Sequence, residues 1–580
     1  VKRGYHILYL SLSEINCNLS QAYRNGHGNL IDRFFERTEE GIHILKKLEK
    51  KYEPNPKYSF SDLLHHLETY FSPKNVIFLV AHPDWVQYLD KVSRENMLIY
   101  DCLDNWESFV YELDLGYTET IIQNERKLAG MADLITVSAR SLYVKMARYN
   151  NNLYYLPNGV WNENFQNTVH PGQVPDDIRN IKRPIVFFMG GIAGWVDIDL
   201  IKYLVDARPE YSFVFVGFEI EAKLPDAPNL HFLGRKNYEE LPLYLREAKV
   251  AIVPFKVNKL TAAVTPLKFY EYLSASLPVV TTFLPDLIGL PGSKMAQTYE
   301  EFLKYVDEYV LMDNVQYHWE ASQAVQTSKC FEWDNLLRPL CSFIEGENFT
   351  LPSKSQFMNK MIDDYQAFRD MELIQNELFA LYNMTGQYQM SCSLFEKHVN
   401  QKEPRNIDYN QVALAYFKQG EIEYSISLLK KYLKISQYRV LEKYAESIIH
   451  DENRVILLEL FLLKLCDLTY EALKLSDELY PAWKTNPKFL GLLSGLYMDV
   501  GEYDLAFRLS MEALDVIEGY ALEEIFDYYS ISFIIRDLTK LKKYDIAEQI
   551  ALYLMSVNRD WEDKGVKLLS EIYFMREFTR

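Results

Sequence analysis

Residues Val250–Thr282 read VAIVPFKVNKLTAAVTPLKFYEYLSASLPVVTT. Two apolar runs, Val250–Phe255 and Pro278–Thr282, have the unbroken hydrophobic character of strands buried on both faces. Between them lie a polar loop with Lys256, Asn258, Lys259 and Thr261, then Thr265-Pro266-Leu267-Lys268 and a short helix that Pro266 opens. Lys268 and Glu271 lie three apart, on one face of that helix. A cation and a carboxylate at a helix N-terminus, on the C-terminal edge of a parallel sheet, suit one kind of ligand. The lysine and free N–H groups can hold phosphates, and the carboxylate can accept hydrogen bonds from ribose hydroxyls. The same spacing also arises in ordinary i, i+3 surface pairs, so the flanking sequence has to decide.

Working outward, strand and helix patterns alternate on both sides. Towards the N-terminus, the candidate strands are Tyr5–Ser11, Gly41–Leu45, Asn75–Val80, Met97–Asp101, Leu134–Val137 and Leu153–Leu156, with helices over Ser61–Phe71 and Tyr117–Ala132. The segment Gly26–Thr38 fits neither period and reads as a long loop or a short helix. Residues Gln166–Arg183, polar and rich in Pro and Asn, read as a linker. Alternation then restarts. Strand Pro184–Met189 runs into Gly190-Gly191-Ile192-Ala193-Gly194-Trp195, followed by helix Asp197–Ala207 and strand Tyr211–Gly217. Leu230–Leu233 leads into Gly234-Arg235-Lys236, and Tyr238–Ala248 is a helix. This order predicts parallel, doubly wound sheets. Glycines between a strand and a helix let backbone approach a ligand, although the spacing G-G-x-x-G is not the dinucleotide fingerprint. Asp101 and Asp104 fall just past a strand end, where open α/β sheets place ligands. His82 also follows a strand but reads as a loop or packing residue, Asn158-Gly159 as a turn and Asp133 as the close of a helix.

Beyond about Ser353 the strand patterns stop and apolar residues recur at helical spacing to the end. Five phrases repeat: Gly386-Gln387-Tyr388, Gly420-Glu421-Ile422, Leu468-Thr469-Tyr470, Gly501-Glu502-Tyr503 and Lys542-Lys543-Tyr544. A small residue (Ser425, Ala472, Ala506, Ala547) stands near the start of the helix that follows. Gly386 to Gly420 is 34 residues and Leu468 to Gly501 is 33, the tetratricopeptide period, while the intervening spacings of 48 and 41 are too long. A degenerate stack of helical hairpins is expected, of a kind that binds proteins or peptides.

Composition narrows the class. The 580 residues are 48% hydrophobic and 25% charged, as in ordinary globular proteins, with ample core for three domains. A net charge of −19 and a pI near 5.2 argue against nucleic acid as a partner. No run of about 18 apolar residues is present, so a cytoplasmic setting is expected, with at most peripheral contact at the inner face of a membrane. The cysteines (17, 102, 330, 341, 392 and 466) are scattered, as reduced thiols rather than a disulfide or zinc framework.

The stretch PLKFYEYLSASLPVV resembles the donor-nucleotide motif of GT-B glycosyltransferases, in a branch similar to family 4 that reads roughly PLK-x-x-EYLA-x-G-x-PVV. YDCLDNW (Tyr100–Trp106), ERKLAGMADLITVS (Glu125–Ser138), Leu156–Val160 and the closing phrase Phe331–Leu336 match the same family. The resemblance covers about residues 1–345. It implies two Rossmann-like domains, 1–165 on the acceptor side and 184–345 for the nucleotide sugar, followed by the helical repeats over 353–580. The fold class is thus α/β followed by all-α. In this family VKRGYHILYLSLS would follow a first strand and helix lying upstream of Val1; alternatively Tyr5–Ser11 is itself the first strand.

The implied activity moves a sugar from a nucleotide-diphosphate sugar to a glycan, lipid-linked or protein acceptor, in cell-envelope polysaccharide synthesis, with retention of configuration. The implied catalytic residues are Lys268 and Asp104, and the donor-binding set is Gly191, Gly194, Arg235, Lys256, Thr265, Pro266, Leu267, Lys268 and Glu271. No metal or other cofactor is expected, because the only D-x-D here, Asp197-Ile198-Asp199, falls at a helix start, where acids are favoured anyway. The sequence departs from the common family pattern at two points. Gly191 and about Trp195 stand where an Arg and a Lys usually hold the diphosphate, and Ala263 replaces the first glutamate of the E-x7-E pair. A second function class follows from those losses: a non-catalytic scaffold of a degenerate transferase module and protein-binding repeats.

Overall fold

The computed structural model describes residues 8–9, 35–38, 43–45, 76–89, 96–111, 119–166, 174–220, 222–347, 351–399, 407–432, 452–517, 525–557 and 562–578. They fall into two bodies, Val1–Asp101 with Thr118–Ile135, and Cys102–Tyr117 with Thr136–Arg580. The predicted helix Ser61–Phe71 lies outside the described residues, and the predicted strand Tyr5–Ser11 is described only at Leu8–Tyr9.

In the first body, β1 (Leu8–Tyr9) and β2 (Phe35–Arg37) flank β3 (His43–Leu45), β1 parallel and β2 antiparallel to it. The segment Gly26–Thr38, expected as loop or helix, therefore contains a strand. Three residues are too few to show a period, and β2 exists through its pairing with β3. Strands β4 (Ile77–Val80) and β5 (Met97–Cys102) are parallel, as the alternation predicted. The helix Glu119–Met131 is fixed by Tyr100 donating to buried Glu125 at 3.0 Å and by Leu98 N–H donating to Asp133 at 2.8 Å. His82 accepts the Asp84 N–H and caps the turn Pro83–Tyr88, a local structural role.

The second body contains β6 (Leu134–Val137) from Thr136 onward, β7 (Leu153–Tyr155) and a six-stranded sheet. Its strands are β8 (Ile185–Ile192), β9 (Ser212–Glu219), β10 (Leu230–Phe232), β11 (Val250–Val253), β12 (Val279–Thr282) and β13 (Ser293–Ala296), in the order β10-β9-β8-β11-β12-β13, all parallel. This is the doubly wound arrangement, and the order reverses between β8 and β11. Phe187, Phe188, Phe213 and Phe215 are fully buried in its core, which is why these strands read as continuous apolar runs. One detail differs from expectation: β8 does not stop at Met189 but continues through Gly190 and Gly191, which pair with Gly217 and Phe218. Gly190 and Gly217 have φ of 126° and 149°, and a Cβ on Gly217 would lie 2.0 Å from the Gly190 carbonyl oxygen, so the pairing requires both glycines.

The closing phrase returns to the turn at 157–162. Val160 N–H donates to the Phe331 carbonyl at 2.9 Å, Tyr154 donates to the Leu336 carbonyl at 3.0 Å, and Asn162 bonds Glu332. A Cβ on Gly159 would meet Phe331 O at 2.8 Å and the Trp333 ring at 2.9 Å. Asn158 and Gly159 thus have the structural role that the turn dipeptide suggested.

From Lys354 onward every element among the described residues is a helix. The repeated phrases are helix–turn–helix corners, with the turn residue in the left-handed region: Gly386 (φ 74°), Gly420 (85°), Asp467 (56°), Gly501 (75°) and Lys542 (59°). The corner read as Leu468-Thr469-Tyr470 is therefore one residue out of register, and its true frame is Asp467-Leu468-Thr469. The spacing Asp467 to Gly501 becomes 34, equal to Gly386 to Gly420. Five residues after each turn residue stand Ser391, Ser425, Ala472, Ala506 and Ala547, all fully buried, where small side chains let paired helices approach. Among the described residues Cys102, Cys330, Cys341, Cys392 and Cys466 form no disulfide, and no helix is long and apolar enough to cross a membrane.

Candidate functional site

The helix Leu267–Ser274 follows Pro266, whose extended backbone (φ −67°, ψ 121°) leads the chain into its first turn. Its inner face is apolar: Phe269, Tyr270, Tyr272 and Leu273 are fully buried. Tyr272 accepts the Met189 N–H at 2.7 Å, tying the helix to the middle of β8, and Tyr270 packs on Phe331 with ring centroids 4.5 Å apart. Lys268 and Glu271 are left on the other face.

They are not an ion pair. No carboxylate lies within salt-bridge distance of Lys268 among the described residues. Its stem is half-buried, while its ammonium reaches inward over the rings of Phe188 at 4.3 Å and Phe255 at 5.1 Å. A Cβ on Gly190 would come within 2.5 Å of Nζ. Both rings are buried, and that loss of hydration lowers the lysine pKa to about 8, against the opposing pull of Glu271. Glu271 accepts a hydrogen bond from Tyr238 at 3.0 Å. Its pKa is raised by burial, with the Tyr238 bond and Lys268 acting in the other direction. The lysine thus presents a partly desolvated cation at the point where the strand order reverses between β8 and β11.

The other expected residues divide into two groups. Gly191 lies in β8 beside Phe218 and Ile220, both exposed. Gly194 is in the turn that follows, which is closed by the bridge between Val196 and Phe255. Arg235 comes just after Gly234, whose carbonyl accepts the Gly217 N–H at 3.0 Å; its guanidinium lies over the Phe218 ring at 5.8 Å. Lys256 is exposed, its N–H donating to the Trp195 carbonyl at 2.9 Å. Arg235 and Lys256 have no ion-pair partner among the described residues. These residues share the carboxyl edge of the sheet with Lys268 and Glu271.

Thr265 belongs to the frame instead. Its hydroxyl donates to the Ser138 carbonyl at 2.9 Å and accepts the Asn158 N–H at 3.2 Å, and its own carbonyl accepts from the Asn158 side chain at 2.6 Å. Pro266 is buried beside it and Leu267 is exposed. Asp104 precedes the helix Trp106–Tyr111, which packs on Lys259–Ala262. Its side chain has no hydrogen-bond partner among the described residues, and burial raises its pKa.

Asp197 caps its helix by accepting the Leu200 N–H at 3.0 Å and also accepts from Tyr299 at 2.8 and 2.9 Å, so the D-x-D is a helix start. Among the described residues no three His, Cys, Asp or Glu side chains gather as a metal site. A cleft of about 640 Å³ opens beside Tyr299–Leu311, but its Arg208–Asp307 and Lys294–Glu308 pairs satisfy each other.

Sequence reasoning did not single out Phe188, Phe255 or Tyr238 for this site, and it named Gly190 only with Gly191 and Gly194, as glycines that let backbone approach a ligand. Gly190 was visible as the residue two after Phe188 on one face of a strand, whereas Tyr238 left no signal.

Residues 183–305 match the family described as Glycosyl transferases group 1. A curated relative, the putative teichuronic acid biosynthesis glycosyltransferase TuaH of Bacillus subtilis (strain 168), is 30% identical over 242 residues, covering 39% of this chain and 57% of its own length. The chain therefore spans little more than half of that relative. Among solved structures, sucrose-phosphate synthase from Thermosynechococcus elongatus aligns with a TM-score of 0.41 and 14% identity, over 57% of this chain and 91% of its own. Anabaena Alr3699/HepE in complex with UDP-glucose aligns with a TM-score of 0.41 and 13% identity, over 59% of this chain and 99% of its own.

Proposed function

We propose that the protein is a GT-B glycosyltransferase that takes a sugar from a nucleotide-diphosphate donor, without a metal ion, and passes it to a glycan, lipid-linked or protein acceptor of the cell envelope. The observation that carries this reading is the Lys268 ammonium, held over two buried rings beside Gly190 with no carboxylate at salt-bridge distance among the described residues, at the switch point of a parallel sheet. A diphosphate placed there would supply the missing anion, and charge-assisted contacts of this kind are worth roughly 1.5–3 kcal/mol each. Lys268 neutralises the leaving diphosphate as the glycosidic bond breaks. Glu271, steadied by Tyr238, accepts from the ribose hydroxyls. Arg235 and Lys256 add positive charge at the same edge, where the usual Arg and Lys are replaced by Gly191 and Trp195. Asp104 is assigned to the acceptor side, and transfer proceeds with retention, as the family resemblance implies. The helical region is tetratricopeptide-like and docks an acceptor or a partner protein.

The missing Arg and Lys favour a second reading, in which the module is a scaffold that no longer turns over. Thermal stabilisation by UDP or GDP, followed by hydrolysis or transfer across a panel of nucleotide sugars, separates the two. Stabilisation with turnover supports the enzyme; no response to any nucleotide or nucleotide sugar supports the scaffold.

A further inference from the structure

Directly behind the donor helix lies a buried polar centre that no part of this reading uses. Asp286, in the turn after β12, is 3% exposed. Its Oδ1 accepts the Arg140 N–H at 2.9 Å and the Tyr155 hydroxyl at 2.8 Å. The Arg140 guanidinium in turn pairs with Asp364 at 2.7 Å, its own side chain only 12% exposed. Asp364 and its neighbour Tyr365 belong to the first helix of the helical region, Lys354–Tyr365, and Glu377 to the second, Glu372–Met384. The Arg140 Nε, Tyr270 hydroxyl and Asp286 Oδ2 atoms are buried without a hydrogen-bond partner among the described residues, and Tyr365 and Glu377 face each other beside them. Tyr270 and Tyr365 both feel the charges of Asp286 and Arg140. Several elements distant in sequence thus meet at one place, and one of them is the helix carrying Lys268 and Glu271.

We propose that Asp364 of the helical region is a positioning residue of the donor site, acting through Arg140 on the segment Ser138–Ser141, which holds the chain as it enters the donor helix. The proposal rests on the donor-site reading above. Asp364 balances the charge of Arg140, the Arg140 N–H fixes Asp286, and the neighbours of Arg140 hold the chain entering the donor helix: the Ser138 carbonyl accepts from Thr265 at 2.9 Å and the Ser141 hydroxyl donates to the Ala262 carbonyl at 3.2 Å. Charges and dipoles buried together are felt by every member, because little water screens them. The Lys268 ammonium occupies the space that a Cβ on residue 190 would fill, so its place depends on how the helix sits against β8. A displacement of about 1 Å at such a group can cost on the order of a hundredfold. The helical region is, on this view, part of the donor machinery as well as a docking surface.

The test uses the full-length protein and UDP as probe, with affinity measured by calorimetry from pH 6 to 10 (roughly, the range bracketing Lys268). Asp364→Asn keeps an acceptor for Arg140 and removes the charge; Asp286→Asn does the same at the Arg140 N–H and serves if the first variant does not fold. Lys354→Met is the control. It breaks a different docking contact, from Lys354 to the Ala147 carbonyl at 2.6 Å and to Asn151 at 2.9 Å, and touches none of the polar centre. We expect Asp364→Asn to weaken UDP binding about tenfold and to move the alkaline break of the profile upward as the lysine swings towards solvent. Lys354→Met should lower the melting temperature and leave both unchanged. UDP affinity and break unchanged in Asp364→Asn, despite a similar loss of melting temperature, would overturn the proposal and make the contact purely structural. Lys268→Ala, measured alongside, distinguishes the failures. If it too leaves UDP binding unchanged, or if the wild type binds neither UDP nor GDP, the donor-site reading has failed and the positioning role falls with it.

Discussion

Lys268 is charged in the free protein only below about pH 8, the value to which burial beside Phe188 and Phe255 brings it. A bound diphosphate favours the ammonium, so UDP affinity should be flat below that pH and weaken by about tenfold per unit above it, until the lysine of the complex also titrates. Stability should move the other way. The folded pKa lies below the ordinary 10.5, so the unfolded chain binds more protons between about 8 and 10.5, and stability rises with pH across that window. Opposite slopes for binding and melting temperature are the signature to look for. Lys268→Ala should abolish both slopes and weaken UDP binding by about tenfold to a hundredfold, with kcat falling as well, since the diphosphate gains charge in the transition state. Glu271→Ala should mainly raise the donor KM, because the ribose contact exists before and during the reaction. Gly190→Ala should match Lys268→Ala in effect, its methyl occupying the ammonium's place at a backbone φ of 126°; wild-type UDP affinity in that variant would refute this packing.

At the scale of elements, two short features can be tested by stability alone. The corners at Asp467 and Lys542 put ordinary residues in the left-handed region, where their counterparts are glycines. Lys542→Gly should therefore raise stability by about 1 kcal/mol, a gain readable by chemical denaturation. Asp197 is committed to its helix and to Tyr299. Asp197→Ala should cost about 1–2 kcal/mol as a lost cap and leave UDP affinity unchanged, and EDTA should leave transferase activity intact. Activity lost to EDTA and restored by a divalent cation would place a metal in the reaction. The corners also show how a sequence misleads locally. Leu468-Thr469-Tyr470 matched the motif by residue type, but the frame is set by which residue takes positive φ, and an aspartate gives no such signal.

For the whole molecule, the family phrases end by residue 345, so residues 1–345 read as a module able to fold and bind nucleotide without the rest. The contacts argue otherwise. Phe357 lies 4.5 Å from the Tyr143 ring and 5.0 Å from that of Tyr155, Phe368 stacks on Phe283 at 5.0 Å, and Tyr470 N–H donates to the Arg148 carbonyl at 2.9 Å. Removing 353–580 would expose these rings to water and take Asp364 away from Arg140, leaving an apolar face that the shortened chain cannot cover. The truncated protein should therefore be insoluble or melt far below the intact chain. A soluble fragment with wild-type UDP affinity would show instead that the helices are only an attachment.

The sequence by itself determined the local order of the chain and the residue types at the site. Continuous apolar runs fixed the buried parallel strands, helical spacing placed Lys268 and Glu271 on one face, and the repeat period announced the hairpins. These are short-range properties, set by backbone geometry and by which side of an element must avoid water. Only the tertiary structure decided what surrounds Lys268. Phe188 and Gly190 come from β8 and Phe255 from just beyond β11, and they meet because β8 and β11 are neighbours in the sheet though not in the chain. It also separated Thr265, which reads as a ligand residue but is spent on Ser138 and Asn158, from Arg235 and Lys256, which are not. The polar centre joining Asp364, Arg140, Asp286 and Tyr270 was equally hidden, because a buried charge is stable only beside its partner and no local pattern records where that partner will be.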